Sequence, residues 1–203
     1  MNTKLTFRGL KALLLPRRPN IGAADVAALR ARALFRPLDT VAERRRGLVE
    51  FLGQVSLFED LDRRELGHLA RIVHERDYGD GESICEEGQP GAALFIVRRG
   101  VVEVVRRAGG AQEIPLALLE PPASFEEWAA IGTGAVRWFS VRARGPVSLL
   151  ALGKSDLEAL AVSFPVAANK VLIKLAGIMA ARLQMAIEAE ILRESAEPPE
   201  GKS

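Results

Sequence analysis

The sequence has almost no cysteine and no long apolar run. Cys85 is the only cysteine among 203 residues, which excludes an internal disulfide framework, a zinc site with several cysteines and an iron–sulfur cluster held by the chain's own thiolates. A single thiol is typical of a reducing compartment, so we expect a cytoplasmic protein. We also expect Cys85 to be a small buried apolar residue. No apolar run approaches the roughly 18 residues that a membrane-spanning helix needs.

The sequence also lacks the residue patterns of an active site. No set of nucleophile, base and oxyanion donors is recognisable, and outside residues 121–143 there are no paired carboxylates. His68 and His74 are six residues apart on what we expect to be a single helix, which is the wrong spacing for a shared metal ion. We therefore expect that the protein is not an enzyme and holds no metal.

Positive charge is concentrated at the N-terminus. Residues 1–46 carry 11 Lys or Arg and 3 Asp or Glu, although the whole chain has a net charge of only +2. In residues 4–15, basic and apolar side chains fall on opposite sides of a helical wheel. We predict a basic helical arm (1–47), a globular body (48–193) and a disordered tail (194–203). For the arm we consider three alternatives: it packs on the body, it binds a partner protein, or it lies on a membrane surface. We consider nucleic acid the least favoured partner of the arm.

The body changes from helical to β-rich spacing along the chain. A helix is predicted at 41–52, and a second helix follows an Asp cap near Leu61. Between Tyr78 and Leu152, short β-rich runs alternate with glycine and proline. We predict strands at 83–85, 94–97, 101–105, 113–118, 139–143 and 148–152. Many short strands with turn residues between them predict an antiparallel jelly-roll barrel flanked by helices, an α+β fold.

A long helix is predicted at the C-terminal end of the body. After a short helix that ends at Ser163, Pro165 interrupts the chain, and helical spacing then continues over Val166–Leu192. Apolar residues cover more than one face of this helix, so we expect it to be covered on more than one side. It would pair with a second copy of the chain or dock on another protein.

Three motifs of the body, two of them containing glycine, carry a family resemblance. They are YGDGESICEEGQPG at 78–91, LFIV at 94–97 and GVVEV at 100–104. With the flanking helices, this pattern resembles the cyclic nucleotide-binding domain of the catabolite activator and kinase-regulatory superfamily over residues 48–192. The resemblance implies that fold, and a phosphate-binding cassette made of a short helix between two strands and a following arginine.

On this resemblance, the cassette corresponds to residues 121–143. Residues 125–127 (FEE) stand where the family usually has Phe-Gly-Glu, and Arg137 stands at the position of the phosphate arginine. A cyclic phosphodiester seeks the amides of a helix N-terminus and a guanidinium, while a carboxylate such as that of Glu127 takes the ribose hydroxyl. The candidate site residues are Phe125, Glu127, Arg137, Trp138 and Ser140. No cofactor is certain, and a cyclic nucleotide is the candidate ligand.

The cassette departs from the family pattern at several positions. Glu126 replaces a glycine, and its carboxylate would repel a phosphate. Pro122 replaces a turn glycine and lacks an amide donor. Residues 138–139 (Trp-Phe) replace small side chains, and we expect both to be directed into a tight pocket. On the long helix, residues 186–187 (Ala-Ile) replace two hydroxyl positions that contact the base.

An alternative interpretation of the cassette needs no ligand. Residues 124–127 have the spacing of a capping box, in which Ser124 caps the helix and Glu127 returns a bond to the Ser124 amide. Glutamates would then supply the negative charge at the helix N-terminus, and Arg137 would pair with one of them.

We favour this interpretation, which predicts a non-enzymatic adaptor or regulatory subunit whose cyclic nucleotide binding is weakened or lost. Two alternatives stay open: a single-domain sensor of cyclic AMP or cyclic GMP that signals through the long helix, and a membrane-peripheral scaffold. Because about 11 residues follow Leu192, we expect no winged helix-turn-helix domain and no direct DNA binding.

Overall fold

A computed structural model describes residues 41–107, 113–132 and 136–196 of the chain, without the side chains of 189, 190 and 193–196. The predictions for the arm up to residue 40, and for the tail beyond residue 196, lie outside the described residues. The chain divides into two compact units. Of the described residues, 41–175 belong to one of them, which we call the first unit, and 176–196 belong to the other, the second unit. No helix in the described ranges is long and apolar enough to cross a membrane.

Three short helical segments come first among the described residues of the first unit. Helix α1 spans Val41–Leu52, a 3-10 turn spans Ser56–Phe58, and helix α2 spans Arg63–Leu69. The side chain of Asp62 accepts hydrogen bonds from two amides in the first turn of α2, and Glu65 accepts from the Asp62 amide at 2.7 Å. This capping box confirms the predicted Asp cap and explains why α2 begins where it does.

Six antiparallel strands form the sheet, and the α+β fold class is confirmed. The strands are β1 His74–Tyr78, β2 Ser83–Cys85, β3 Ala93–Arg107, β4 Glu113–Leu119, β5 Ser124–Phe125 and β6 Ser140–Gly153. Hydrogen-bonded neighbours follow the order β1-β6-β3-β4, with β2 also on β6 and β5 also on β3. The predicted barrel is therefore not closed by strand pairing among the described residues, because β1 and β4 lie at opposite ends of this path.

Two pairs of predicted strands are single long strands. The runs at 94–97 and 101–105 both belong to β3; the run at 148–152 and, apart from residue 139, the run at 139–143 belong to β6. Gly100 and Gly145 have φ values of 81° and 78°. A Cβ at Gly100 would clash with the carbonyl of Pro146. Glycine here bends a continuous strand, with register shifts on both sides of Arg99, instead of ending it in a turn.

Strand β1 corrects the prediction for His74. We expected His74 on the same helix as His68, but α2 ends at Leu69 and His74 begins β1. The prediction failed because β1 reads HERDY and four of its five residues are exposed, so it shows no alternation of apolar and polar residues. The His74 ring lies 3.4 Å from the carboxylate of Asp156.

The core of the first unit lies against β3 and β6. Residues 94–97 and 101–105 of β3, and 149–152 of β6, are all buried. Helix α4 spans Lys154–Ser163 and packs Leu157 and Leu160 inward. Cys85 is 1% exposed, which confirms that it is a buried apolar residue.

Helix α5 spans Pro165–Ala196 and confirms the predicted long helix with slightly wider bounds. In the first unit, Val171 and Leu175 are fully buried, and Lys170 donates to the Glu65 carboxylate at 2.7 Å. In the second unit, Leu183 and Ile187 are more than half exposed.

Candidate functional site

The cassette lies between β4 and β6 and is held by a glycine-rich loop. Strand β5 pairs with β3, placing Phe125 opposite Phe95, and the one-turn helix α3 follows at Glu127–Ala130. The Gly88 amide donates to the Arg137 carbonyl at 2.8 Å, and the Arg137 amide donates to the Gln89 carbonyl at 2.8 Å. The loop that carried the family resemblance therefore fixes the backbone of Arg137.

Glu126 occupies a position that favours glycine. Its φ of 62° and ψ of 30° lie in the left-handed region, and it is the N-cap of α3 without a capping side-chain bond. An L-residue with a Cβ pays about 1–2 kcal/mol for this conformation. The local backbone is thus the one that the family's glycine adopts readily, although the residue present is a glutamate.

The side chain of Glu126 turns inward and meets Arg137. Arg137 Nε donates to Glu126 Oε2 at 3.1 Å, and the two side chains are 12% and 0% exposed. Within the described residues, the second oxygen, Oε1, is buried without a hydrogen-bond partner. Burial raises the pKa of Glu126, Arg137 opposes the rise, and nearby Glu127 adds to it. The guanidinium that would receive a phosphate already binds an internal carboxyl group.

Gly91 lets the glycine-rich loop lie directly against this pair. A Cβ at Gly91 would stand 2.8 Å from the Ala129 Cβ and 3.0 Å from Glu126 Oε2. Both distances are too short for a real side chain without movement of the cassette. The close approach therefore depends on the absence of a side chain at Gly91.

Glu127 is buried, but the predicted capping box is wrong. Ser124 Oγ donates to Glu127 Oε1 at 2.7 Å, a bond between two side chains. Ser124 lies in β5, opposite Ile96, and the N-cap is Glu126. The left-handed residue Glu126 delays the start of the helix, so Ser124 stands two positions too early to cap it.

The other candidate residues have structural positions. Trp138 is 46% exposed, whereas Phe139 is buried and meets Trp128 edge to face, with centroids 5.6 Å apart. The prediction that both point into a tight pocket is wrong, because only Phe139 is buried, and Trp138, the residue before it, is exposed to solvent just ahead of β6. Ser140 Oγ accepts a hydrogen bond from the Glu87 amide at 3.0 Å.

Phe125 stacks on Phe95 with ring centroids 5.3 Å apart. The structure thus brings Phe125, Glu127 and Arg137 to one cassette and leaves Trp138 at its surface. Glu126, which forms the ion pair, was not among the candidate site residues. Its signal was present in the sequence as a charged residue at a glycine position.

The thiol of Cys85 interacts electrostatically with Arg137 and Glu126, the two side chains of the cassette ion pair. Burial raises its pKa to about 12, with opposing influences from Arg137 and Glu126. The thiol is therefore un-ionised near neutral pH and has no nucleophilic character there.

Comparison with known proteins identifies the domain to which this cassette belongs. A family model described as the cyclic nucleotide-binding domain matches residues 75–163, a range that contains β5, α3 and Arg137. The chain contains a cyclic nucleotide-binding domain. Domains of this family are regulatory rather than catalytic.

Individual relatives agree with this identification. The chain is 34% identical over 137 residues to the cyclic AMP receptor protein of Thermus thermophilus, covering 67% of this chain and 61% of that protein. It is 31% identical over 132 residues to Glutaminase 2 of Bradyrhizobium diazoefficiens, covering 65% and 20%. The crystal structure of the Thermus thermophilus catabolite activator protein matches with a TM-score of 0.61 and 33% identity, covering 68% and 63%. The matched region of the chain thus spans less than two thirds of each of these relatives.

Proposed function

We propose that the chain is a non-enzymatic adaptor or regulatory subunit, in which the cyclic nucleotide-binding domain acts through protein–protein contacts and cyclic nucleotide binding is weakened or lost. The observation that supports this proposal is the buried ion pair between Glu126 and Arg137. In this proposal the carboxylate of Glu126 takes the place of the ligand phosphate.

Simple electrostatics opposes a second anion at this position. At a separation of 4 Å and an effective dielectric constant of 20, two negative charges repel by about 4 kcal/mol. This energy corresponds to roughly a 1000-fold loss of affinity. A phosphodiester that displaced Glu126 would also have to return its buried side chain to water and rotate it out of the cassette.

In this proposal, α5 presents the surface that meets the partner. Ile173 is 68% exposed in the first unit, and Leu183 and Ile187 are 57% and 51% exposed in the second unit. Apolar side chains at such positions are typical of a helix that packs on another protein. The partner is a second copy of this chain or a different protein.

Calorimetric titration with cyclic AMP and cyclic GMP tests the proposal. We expect no saturable heat with the unmodified protein, and a gain of at least about 100-fold in affinity for Glu126→Gly, because glycine tolerates the left-handed backbone and removes the repelling carboxylate. The gain should disappear when Arg137→Ala is added. Glu86→Gln is the matched control. It removes one exposed negative charge from the glycine-rich loop that contacts the cassette, and it should leave the affinity for both nucleotides unchanged.

Two results would overturn the proposal. Micromolar binding by the unmodified protein that is lost in Arg137→Ala would favour the sensor. Failure of Glu126→Gly to bind either nucleotide would show that Glu126 is not what excludes them.

A further inference from the structure

A groove outside the cassette is lined by both arginines and apolar side chains. It is lined by Val41, Ala42, Arg45, Arg46 and Val49 of α1 and by Arg63 at the start of α2. Its volume is about 560 Å³, and it is open to solvent. We refer to it as the arginine groove.

The residues of α1 that line the arginine groove share one face of the helix. Positions 41, 42, 45, 46 and 49 fall on one face of a helix. Glu43 and Glu50 of the same helix are not among the residues that line the groove. All the charged residues that line the groove are therefore arginines.

The three arginines have no carboxylate partner in the described part of the chain. None of the ion pairs within 4 Å among residues 41–107, 113–132 and 136–196 includes Arg45, Arg46 or Arg63. Nearby acidic residues are engaged elsewhere, since Glu65 pairs with Lys170. The one hydrogen bond of Arg45 is a long one, 3.4 Å, to the carbonyl of Gly67.

We propose that the arginine groove binds an anionic membrane surface, with lipid headgroups against its three arginines and its valines at the apolar boundary. Val41 is 77% exposed at one end of the groove. Guanidinium groups that are not fixed by carboxylates are suited to a fluid layer of anionic headgroups, which offers no single geometry.

The preceding sequence favours a lipid surface over an acidic protein. Residues 1–40 carry 8 Lys or Arg and 2 Asp, and residues 4–15 combine basic and apolar positions in the pattern of an interfacial helix. This chain segment leads directly into Val41 at the groove. In the sequence, a segment rich in basic residues thus precedes the arginines of the groove.

Vesicle co-sedimentation of the full-length chain tests this proposal. The vesicles are pure phosphatidylcholine, or phosphatidylcholine with about 30% phosphatidylserine. We expect binding to the anionic vesicles alone, weakening as salt is raised. A triple variant, Arg45→Gln, Arg46→Gln and Arg63→Gln, should bind roughly 100-fold more weakly, since each basic residue near such a surface contributes about five-fold.

The control removes the same charge from other exposed sites. Arg71→Gln, Arg76→Gln and Arg107→Gln lie outside the groove and together should change binding by less than about three-fold. Equal loss in both triple variants would show that net charge alone acts, and undiminished binding of the groove variant would place the contact in residues 1–40. Absence of binding to both vesicle types would also overturn the proposal and leave an acidic protein as the occupant. Circular dichroism checks that each variant is folded.

Discussion

At residue 126 the backbone conformation and the side-chain contact favour different residue types. The left-handed φ of 62° favours glycine, whereas the ion pair with Arg137 requires a carboxylate. Full burial adds a desolvation cost, and within the described residues Oε1 has no hydrogen-bond partner to offset it. The backbone conformation and the burial of Glu126 therefore both lower the stability of the folded protein. Replacement of Glu126 should change the free energy of unfolding even without a ligand.

The pH dependence of stability should reveal the buried carboxyl group. Because burial raises the pKa of Glu126, the folded protein binds this proton more tightly than the unfolded chain does. Its contribution to the free energy of unfolding is fully present below the ordinary value of 4.5 and falls as the pH rises from there through the folded-state pKa.

We therefore expect the free energy of unfolding of the wild type, relative to Glu126→Gln, to decrease as the pH is raised above 4.5. Denaturant unfolding at a series of pH values measures this difference. Glu86→Gln, at an exposed glutamate, should give a nearly flat difference. A relative stability that instead rises with pH would mean that Arg137 outweighs desolvation and that the carboxyl pKa is lowered.

At the scale of single elements, local chemistry predicted some boundaries well. Helix α1 has the predicted bounds 41–52, and Asp62 begins α2 through side-chain bonds to nearby amides. Both signals lie within a few residues of the element that they define. The strands Ser83–Cys85 and Glu113–Leu119 were found for the same reason, because turn residues stand beside them.

Elements that depend on distant partners were not predicted. Strand β1 is polar throughout, and it is a strand because His74–Tyr78 pairs with β6 more than 65 residues later. The capping role assigned to Ser124 failed because β5 pairs with β3. The ion pair of the cassette was anticipated only as far as Arg137 pairing with a glutamate, since the backbone conformation that selects Glu126 depends on the whole cassette.

Close packing of the glycine-rich loop leads to a prediction for Gly91. Gly91→Ala should lower the free energy of unfolding by about 1–3 kcal/mol, because the added methyl group would overlap Ala129 and the Glu126 carboxylate. Gly47→Ala is the control: Gly47 lies in α1 with nothing within 4 Å of its added Cβ, so the same change should raise stability by about 0.5–1 kcal/mol. Thermal unfolding of the two variants measures both effects. Similar effects of both variants would contradict the close approach.

On the scale of the whole molecule, β6 links the cassette to the long helix. It follows Arg137 after two residues, pairs with β1, β2 and β3, and leads through α4 into α5. Two successive elements, β6 and α4, thus connect the cassette to α5, the helix that the proposed function assigns to partner binding. This order of elements is compatible with both an adaptor and a sensor.

The exposed residues of α5 predict self-association. Leu183→Glu combined with Ile187→Glu should weaken dimer formation at least ten-fold, because two charges would replace apolar contacts. Sedimentation velocity over a range of protein concentrations measures the change. Ala181→Glu combined with Gln184→Glu introduces the same number of acidic residues at exposed positions of the helix and should have a smaller effect. A wild type that stays monomeric at every concentration would show that the partner is not a second copy.

Both tryptophans of the chain stand beside the Glu126–Arg137 pair. Trp128 meets the buried Phe139 edge to face, and Trp138 is 46% exposed. The tryptophan emission of the unlabelled protein therefore arises from one small region. Its blue component should come from Trp128 and its red, quencher-accessible component from Trp138, so a spectrometer can follow events at this region without any attached dye.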